Sequence, residues 1–310
     1  MRSLPYTFRH RLISATELKV ADRQTFALGG TRMRSLSVVI PAFNEAENIE
    51  DVIASIPVSQ LSDLGWSTEI VVVDNNSSDG TGELARACGA RVVFQPEKGY
   101  GNAYRAGFGA AGGEIIASGD ADRTYPFDHL PELLAELESS GADFLTTDRL
   151  HSANRGAMKH SHFWANHVLS FFSRLIFRHG IRDSQSGMWV FHRDVWAGVD
   201  VRSPGMAFSQ EIKNAAVLAG YKVTETHIEY RVRGGDVKLN SVRDGLRNLA
   251  HLFGHRIRHD GPAPAGQKQA QDVPVRTRAE GVRFPAMRSA SVAEAEGATP
   301  GCQTGSGTAA

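Results

Sequence analysis

Leu36-Ser-Val-Val-Ile-Pro41 is a short apolar run closed by proline, and Ile70-Val-Val-Val-Asp74 is a second, closed by a carboxylate. Short runs this rich in Val and Ile, without polar alternation, suit strands buried on both faces, and such strands belong to parallel sheets covered by helices. Beyond the first run, Asn44 is placed to cap a helix with Glu47 at its third position, and Ile49, Val52, Ile53 and Ile56 recur at helical spacing. Beyond the second, Asn75-Asn-Ser-Ser-Asp-Gly80 reads as a turn into a helix from about Thr81. Further strands are predicted at Val92–Phe94, Glu114–Ala117 and Ala142–Thr146, with a helix near Gly101–Ala111 between the first two. The series predicts an α/β domain with a mostly parallel central sheet, whose ligands bind beyond the carboxyl ends of the strands.

The 310 residues are 41% hydrophobic and 22% charged, with 34 Lys and Arg against 34 Asp and Glu. This excludes a wholly disordered chain and a polytopic membrane protein. It also supplies no global positive field, so no nucleic-acid partner is expected. Cys88 and Cys302 form no metal or disulfide pattern, which fits a reducing, cytoplasmic setting. Residues 1–34 lack an apolar signal core and read as a poorly structured extension, while 259–310, dominated by small and polar residues, read as a disordered tail. The folded domain is expected over 35–258.

The strongest polar feature follows the fourth strand, at Gly119-Asp-Ala-Asp-Arg-Thr-Tyr-Pro126. Carboxylates two residues apart at a strand end, here Asp120 and Asp122, can share a hard divalent cation that bridges a nucleotide diphosphate. An isolated Asp-x-Asp is more often a solvated turn. Here Glu45 and Asp74 close neighbouring strands, so polar groups gather on one rim.

Val39-Ile-Pro-Ala-Phe-Asn-Glu45, Val72-Val-Asp-Asn-Asn-Ser-Ser-Asp-Gly-Thr81, Lys98-Gly-Tyr-Gly101 and Asp120-Ala-Asp122 stand in the order seen in family 2 glycosyltransferases, which the chain resembles. Asp183-Ser-Gln-Ser-Gly187, Phe208-Ser-Gln-Glu211 and Arg231-Val-Arg-Gly-Gly-Asp-Val-Lys-Leu239 look like its dolichyl-phosphate mannose and glucose synthase branch. The resemblance covers about Leu36 to Arg258. It implies a GT-A fold, a nucleoside diphosphate sugar (UDP-glucose or GDP-mannose), Mg²⁺ or Mn²⁺, inversion at the anomeric carbon, and a polyprenyl phosphate acceptor. Carried onto this sequence, Pro41, Ala42, Asn44, Glu45 and Asp74 would hold base and ribose, Lys98 would lie near the diphosphate, and Asp120 and Asp122 would hold metal and donor. Thr124 departs from the Gln that mannose synthase relatives often carry there; its hydroxyl can reach a metal through water.

A phosphate acceptor is already anionic near neutral pH, so it needs cations where an alcohol needs a base. Arg149, in Thr147-Asp-Arg149, stands where the lipid-phosphate enzymes tend to carry Gly-Ser-Arg, and Asp148 is a departure that would neutralise part of its charge. Arg174, Arg231, Arg233 and Lys238 are further candidates, with Ser186 grouped beside them; Arg174 reads equally as a solvated surface cation. With a soluble hydroxyl acceptor, Glu211 or Asp183 would serve as base. With a phosphate, either would orient cations, and Glu211 also suits a helix amino terminus. A non-catalytic nucleotide-binding module is the reading from another class.

Phe163, Trp164, His167, Val168, Phe171, Phe172, Leu175 and Ile176 draw one apolar stripe along a helix. Core or partly exposed packing is the expected reading, with a face lying in the bilayer interface as the alternative. Polar interruptions exclude a spanning helix, and no transmembrane helix is expected elsewhere. Val242, Leu246, Leu249, Phe253 and Ile257 form a second stripe with Arg243, Arg247 and Arg258 outside it. Peripheral contact with the inner face of a membrane through 161–178 or 242–258 is therefore an expected option, and His251 and His255 read as ordinary surface or core histidines.

Overall fold

The structure, a computed structural model, describes residues 33–158, 160–233 and 241–259. The expected extension before residue 33, the tail beyond 259 and Lys238 lie outside the described residues.

β1 (Arg34–Ala42) pairs in parallel with β2 (Trp66–Asp74) and β4 (Ile115–Ser118), and β2 pairs in parallel with β3 (Arg91–Phe94). Two strands that the apolar-run reading did not find complete the sheet. β6 (Trp189–His192) runs antiparallel between β4 and β5 (Phe144–Asp148), and β7 (Val223–His227) lies parallel to β5 at the edge. The order is β3-β2-β1-β4-β6-β5-β7. Only four residues long, β6 is too short to show a period, and its position is set by pairing with strands more than forty residues away on either side of it in the sheet order.

Helices cover both faces, which is why the strands read as continuous apolar runs. Val38 and Ile40 join one core layer with Leu130, Leu133 and Leu137 of α5 (Leu130–Ser140), beside α1 (Ile49–Ala54), α2 (Val58–Asp63) and α3 (Thr81–Ala87). Val39, Val71 and Val73 face the other layer, with Tyr104 and Phe108 of α4 (Tyr100–Ala110), Trp189 and Phe191, and Phe208 and Ile212 of α8 (Phe208–Leu218). Here Tyr104 stacks on Phe208 with ring centroids 5.6 Å apart. α7 (Arg193–Gly198) follows β6.

The buried faces of two helices differ in make-up from the apolar stripes read in the sequence. α6 (His160–Phe177) buries Phe163, Leu169, Ser170, Ser173 and Phe177 and exposes Trp164, Val168, Phe171 and Leu175. Its inner face is partly polar because buried hydroxyls find partners there: Ser170 Oγ lies 3.1 Å from Ser184 Oγ, and Ser173 Oγ donates to Asn214 Oδ1 at 2.9 Å. α9 (Ser241–His259) packs along α6 and likewise buries Asn248, Leu252 and His255 while Phe253 and Ile257 stay exposed. Asn48, not Asn44, is the residue before α1, because Asn44 adopts φ 54° and turns its side chain to another loop. No helix among the described residues is long and apolar enough to cross a membrane.

α4 lies close on the sheet because position 107 lacks a side chain; a Cβ there would sit 2.4 Å from Val39 Cγ1 and 2.8 Å from Val73 Cγ2. Gly107→Ala gains about 1 kcal/mol of helix propensity but overpacks at about 1–3 kcal/mol, so chemical denaturation should show a net loss of stability. His179, buried beside Asn214, is pushed down to about 4 by burial. Between that value and its ordinary 6.5 the unfolded chain binds a proton that the folded one does not, so stability should fall by roughly 2–3 kcal/mol as pH drops through this window. Denaturation midpoints of the protein and of His179→Gln across pH 4–7 measure it, and the variant should show the shallower slope.

Candidate active site

The parallel register sets Ala42 opposite Asp74, so the loops after β1 and β2 leave the sheet side by side and are stitched together. Asn44 Oδ1 accepts from the Ser78 amide at 2.9 Å, the Asn44 amide donates to Ser77 Oγ at 3.0 Å, and the Glu45 amide donates to Thr81 Oγ1 at 2.9 Å. Glu45 Oε2 accepts from Asn48 Nδ2 at 2.7 Å. Asp74 Oδ1 accepts from the Ser77 amide at 2.9 Å, and Gly82 admits its other oxygen, which a Cβ would meet at 2.7 Å. Pro41, Ala42, Asn44, Glu45 and Asp74 are thus brought to one place.

Asn75, unassigned in the sequence beyond its turn, joins the third loop. Its Nδ2 donates to the Gln95 and Glu97 carbonyls, at 3.1 and 2.7 Å, and its Oδ1 accepts from the Gly99 amide at 2.7 Å. Lys98 is exposed here, with Nζ 4.4 Å from the centroid of Phe43. The glycines around it are required by contact. A Cβ at Gly99 would lie 2.3 Å from Pro204 O, and one at Gly101 2.0 Å from Ser203 O. Glu211, fully buried, holds that opposing loop: its Oε2 accepts from the Ser203 and Arg202 amides at 2.7 and 3.2 Å, with His251 Nε2 at 3.8 Å.

At the end of β4, Asp120 Oδ1 accepts from Tyr100 at 3.0 Å and lies 3.2 Å from the Tyr104 hydroxyl. Gly187 leaves the room for this cluster, since a Cβ there would lie 2.3 Å from the Tyr100 hydroxyl, and its amide donates to the Tyr125 hydroxyl at 2.7 Å. The three tyrosines had no role in the sequence reading. Tyr100 and Tyr125 lie inside the quoted motifs and Tyr104 follows Tyr100 at i, i+4, a spacing that reads equally as core. Asp122 Oδ1 accepts from the Thr124 hydroxyl at 2.6 Å and its amide at 3.1 Å, while Oδ2 pairs with Arg233 Nη2 at 3.4 Å. Thr124 therefore orients Asp122, which is a different use of the hydroxyl from the water-mediated metal contact expected. Burial and then the charge of Asp122 push Asp120 up to about 7.

The acceptor-side candidates separate. Arg149 is buried and bidentate on Asp183, with Nε to Oδ2 at 2.7 Å and Nη2 to Oδ1 at 3.0 Å. Burial opposes the charge of Asp183, but Arg149 outweighs it and lowers this carboxyl, an arrangement that matches the cation-orienting alternative for Asp183 rather than the base. Asp148, expected to offset part of the Arg149 charge, accepts from the Leu150 amide at 2.7 Å and pairs with His227 Nδ1 at 3.0 Å. Ser186 is fully buried with its Oγ 2.6 Å from Thr147 Oγ1, so its hydroxyl is directed inward and not at a phosphate. Arg231 pairs with Asp128 at 2.8 Å, and its amide donates to Thr124 O at 2.9 Å. Arg174 lies half-buried on α6 beside His179, and among the described residues no contact brings it to the Asp120 rim.

Beneath Asp183 lies Lys213, which sequence alone could not single out within α8. Its Nζ donates to the Asp183 and Ser186 carbonyls at 2.8 and 3.0 Å, and burial pushes it down to about 7. Glu225 accepts from the Arg182 and Asp183 amides at 2.7 and 3.0 Å and is raised to about 7 by burial and the charge of Asp148.

Among the described residues no three His, Cys, Asp or Glu side chains cluster as a metal cage. The two carboxylates at 120 and 122 fit Mg²⁺ or Mn²⁺ in another way. They are hard oxygen donors placed close enough for one to raise the other, and Mg²⁺ is commonly held by one or two carboxylates with substrate phosphates and water completing its shell.

An open, mostly parallel sheet with flanking helices, carrying an Asp-x-Asp at the end of its fourth strand, is the GT-A fold of glycosyltransferases. The chain belongs to glycosyl transferase family 2, whose description matches residues 37–198. The low-salt glycan biosynthesis hexosyltransferase Agl6 of Haloferax volcanii is 38% identical over 71% of this chain, which spans about half (53%) of that protein. A dolichyl-phosphate hexose transferase of the same organism is 31% identical over 68% of this chain and 89% of its own length. Glucosyl-3-phosphoglycerate synthase of Mycobacterium tuberculosis, solved with Mn²⁺, UDP-glucose and phosphoglyceric acid, shares the fold with a TM-score of 0.56 at 21% identity, over 84% of this chain and 88% of that one. The family resemblance read from the motifs is thus matched.

Asp183→Asn leaves Arg149 buried without its counter-charge and should cost about 3–5 kcal/mol, read as a lower denaturation midpoint. Asp148→Asn leaves that pair intact and should cost no more than about 1–2 kcal/mol.

Proposed function

We propose that the chain transfers a hexosyl group from a nucleoside diphosphate sugar, UDP-glucose or GDP-mannose, to a polyprenyl phosphate with inversion. The observation that carries the acceptor is the state of the two candidate bases. Asp183 is locked on Arg149 and Glu211 on backbone amides, so neither is poised to take a proton from an alcohol. A phosphate monoester has no proton to lose at the attacking oxygen. Its oxygen attacks the anomeric carbon, the bond from that carbon to the donor's diphosphate breaks, and the nucleoside diphosphate leaves with the electron pair.

Pro41 to Glu45, Asp74 and Asn75 would shape the pocket for base and ribose, with Asp74 as the carboxylate acceptor for the ribose diol. Lys98 would set a point charge at the diphosphate. A divalent ion bound at Asp120 and Asp122 would supply positive charge against the departing diphosphate. Tyr100, Tyr104 and Thr124 fix the two carboxylates before substrate arrives, so reorganisation during the reaction is small. Arg233, beside Asp122, is the cation best placed among the described residues to meet an acceptor or donor phosphate there; Arg231 stands two residues before it, held by Asp128.

The test is transfer of labelled sugar into an organic phase, using purified protein, Mg²⁺ or Mn²⁺, each donor and a polyprenyl phosphate. Asp122→Ala or chelation of the metal should lower transfer at least about a hundredfold. Glu211→Gln keeps an oxygen that can accept from the Ser203 amide but loses basicity, so transfer should stay within about threefold. Consumption of donor only with soluble hydroxyl acceptors, abolished by Glu211→Gln, would replace the lipid acceptor with a hydroxyl one. Tight nucleotide binding with no turnover on any acceptor would leave a binding module.

A further inference from the structure

Trp164, Val168, Phe171 and Leu175 follow one another at spacings of four, three and four, so they form one line along α6, and each is at least half exposed, from 50% to 64%. At 1.5 Å per residue the line runs about 16 Å. On α9, packed alongside, Phe253 and Ile257 are one turn apart and exposed. Isolated exposed apolar residues are ordinary, but a line of them on one helix, with Ser170 and Ser173 turned inward, calls for a partner.

The charges around the line say what kind. No Asp or Glu occurs between Asp148 and Asp183, whereas Arg155, Arg178 and Arg182 in that span are exposed, as is Arg247 on α9. An apolar line flanked by cations of one sign suits an anionic lipid surface, in which the apolar side chains enter the acyl boundary and the guanidinium groups meet headgroups. The same cations oppose a symmetric pairing of two copies through this face, because like charges would be brought together.

Both ends of the α6 segment lie at the working end of the molecule. β5 ends at Asp148 on the rim that carries Asp74 and Asp120, and antiparallel β6 enters from that rim after Asp183. α6 is therefore an excursion between two rim segments, and the Arg149–Asp183 pair closes its base.

We propose that the exposed face of α6, with Phe253 and Ile257 of α9, docks the protein on an anionic phospholipid bilayer. For its purpose this rests on the lipid-acceptor reading, since a polyprenyl phosphate resides in a bilayer. Its test does not.

The full chain is floated with vesicles of phosphatidylcholine alone or with phosphatidylglycerol added. Binding should require the anionic lipid and weaken with salt. Phe171→Asn with Leu175→Asn should reduce it at least about tenfold. Val58→Asn with Leu64→Asn, also exposed apolar positions, on and beside α2, should not. Trp164 fluorescence should shift to shorter wavelength on the anionic vesicles. The proposal is overturned if the protein ignores anionic vesicles, if the α6 variant binds like the parent, or if the parent is a dimer that this variant makes monomeric. Transfer to a water-soluble short-chain isoprenyl phosphate separates the two readings. If the α6 variant loses vesicles but keeps this transfer, docking stands along with the acceptor. Vesicle binding without transfer to any isoprenyl phosphate keeps docking and removes the acceptor. Transfer without any vesicle binding does the reverse.

Discussion

The buried ion pair of Arg149 with Asp183 is the interaction on which the rest of the site depends. A guanidinium and a carboxylate taken from water are tolerated only when each satisfies the other, and the bidentate geometry does so. The pair ties the end of β5 to the approach of β6, two segments separated by the whole of α6. Around it, Lys213 holds the Asp183 and Ser186 carbonyls and Glu225 holds the Arg182 and Asp183 amides. The segment leading to Gly187 is fixed on both sides, and Gly187 in turn leaves the space in which Tyr100 meets Asp120.

The loops after β1, β2 and β3, where we place the donor, are held by a different device. Parallel strands leave the sheet at one rim, and their loops are joined by short polar side chains bonded to backbone: Asn44, Asn75, Ser77 and Thr81. Glu211 reaches the same assembly through the Ser203–Pro204 loop, which presses on Gly99 and Gly101. The two halves meet at Asp120 and Asp122, where burial and like charge raise Asp120 and a positive partner is favoured.

Much of this was legible from the chain. The apolar runs at 36–41 and 70–73 specified strands buried on both faces, and the acids at their ends specified the rim. β6 was not legible, because four residues show no period and its pairing is non-local. Asn44 failed as a helix cap because its side chain found a partner 34 residues away. The partners of Asp183 and Ser186, Arg149 and Thr147, were not legible either, because sequence distance conceals them.

By itself the sequence determined the sheet class, the rim and the Asp-x-Asp, since these follow from short-range periodicity and the chemistry of single residues. Which cation each carboxylate meets, and which face of α6 turns to solvent, only the tertiary structure decided. Both are settled by the need of buried polar groups for partners, and here those partners come from distant parts of the chain: Arg149 for Asp183, Asn214 for Ser173, and Ser184 for Ser170.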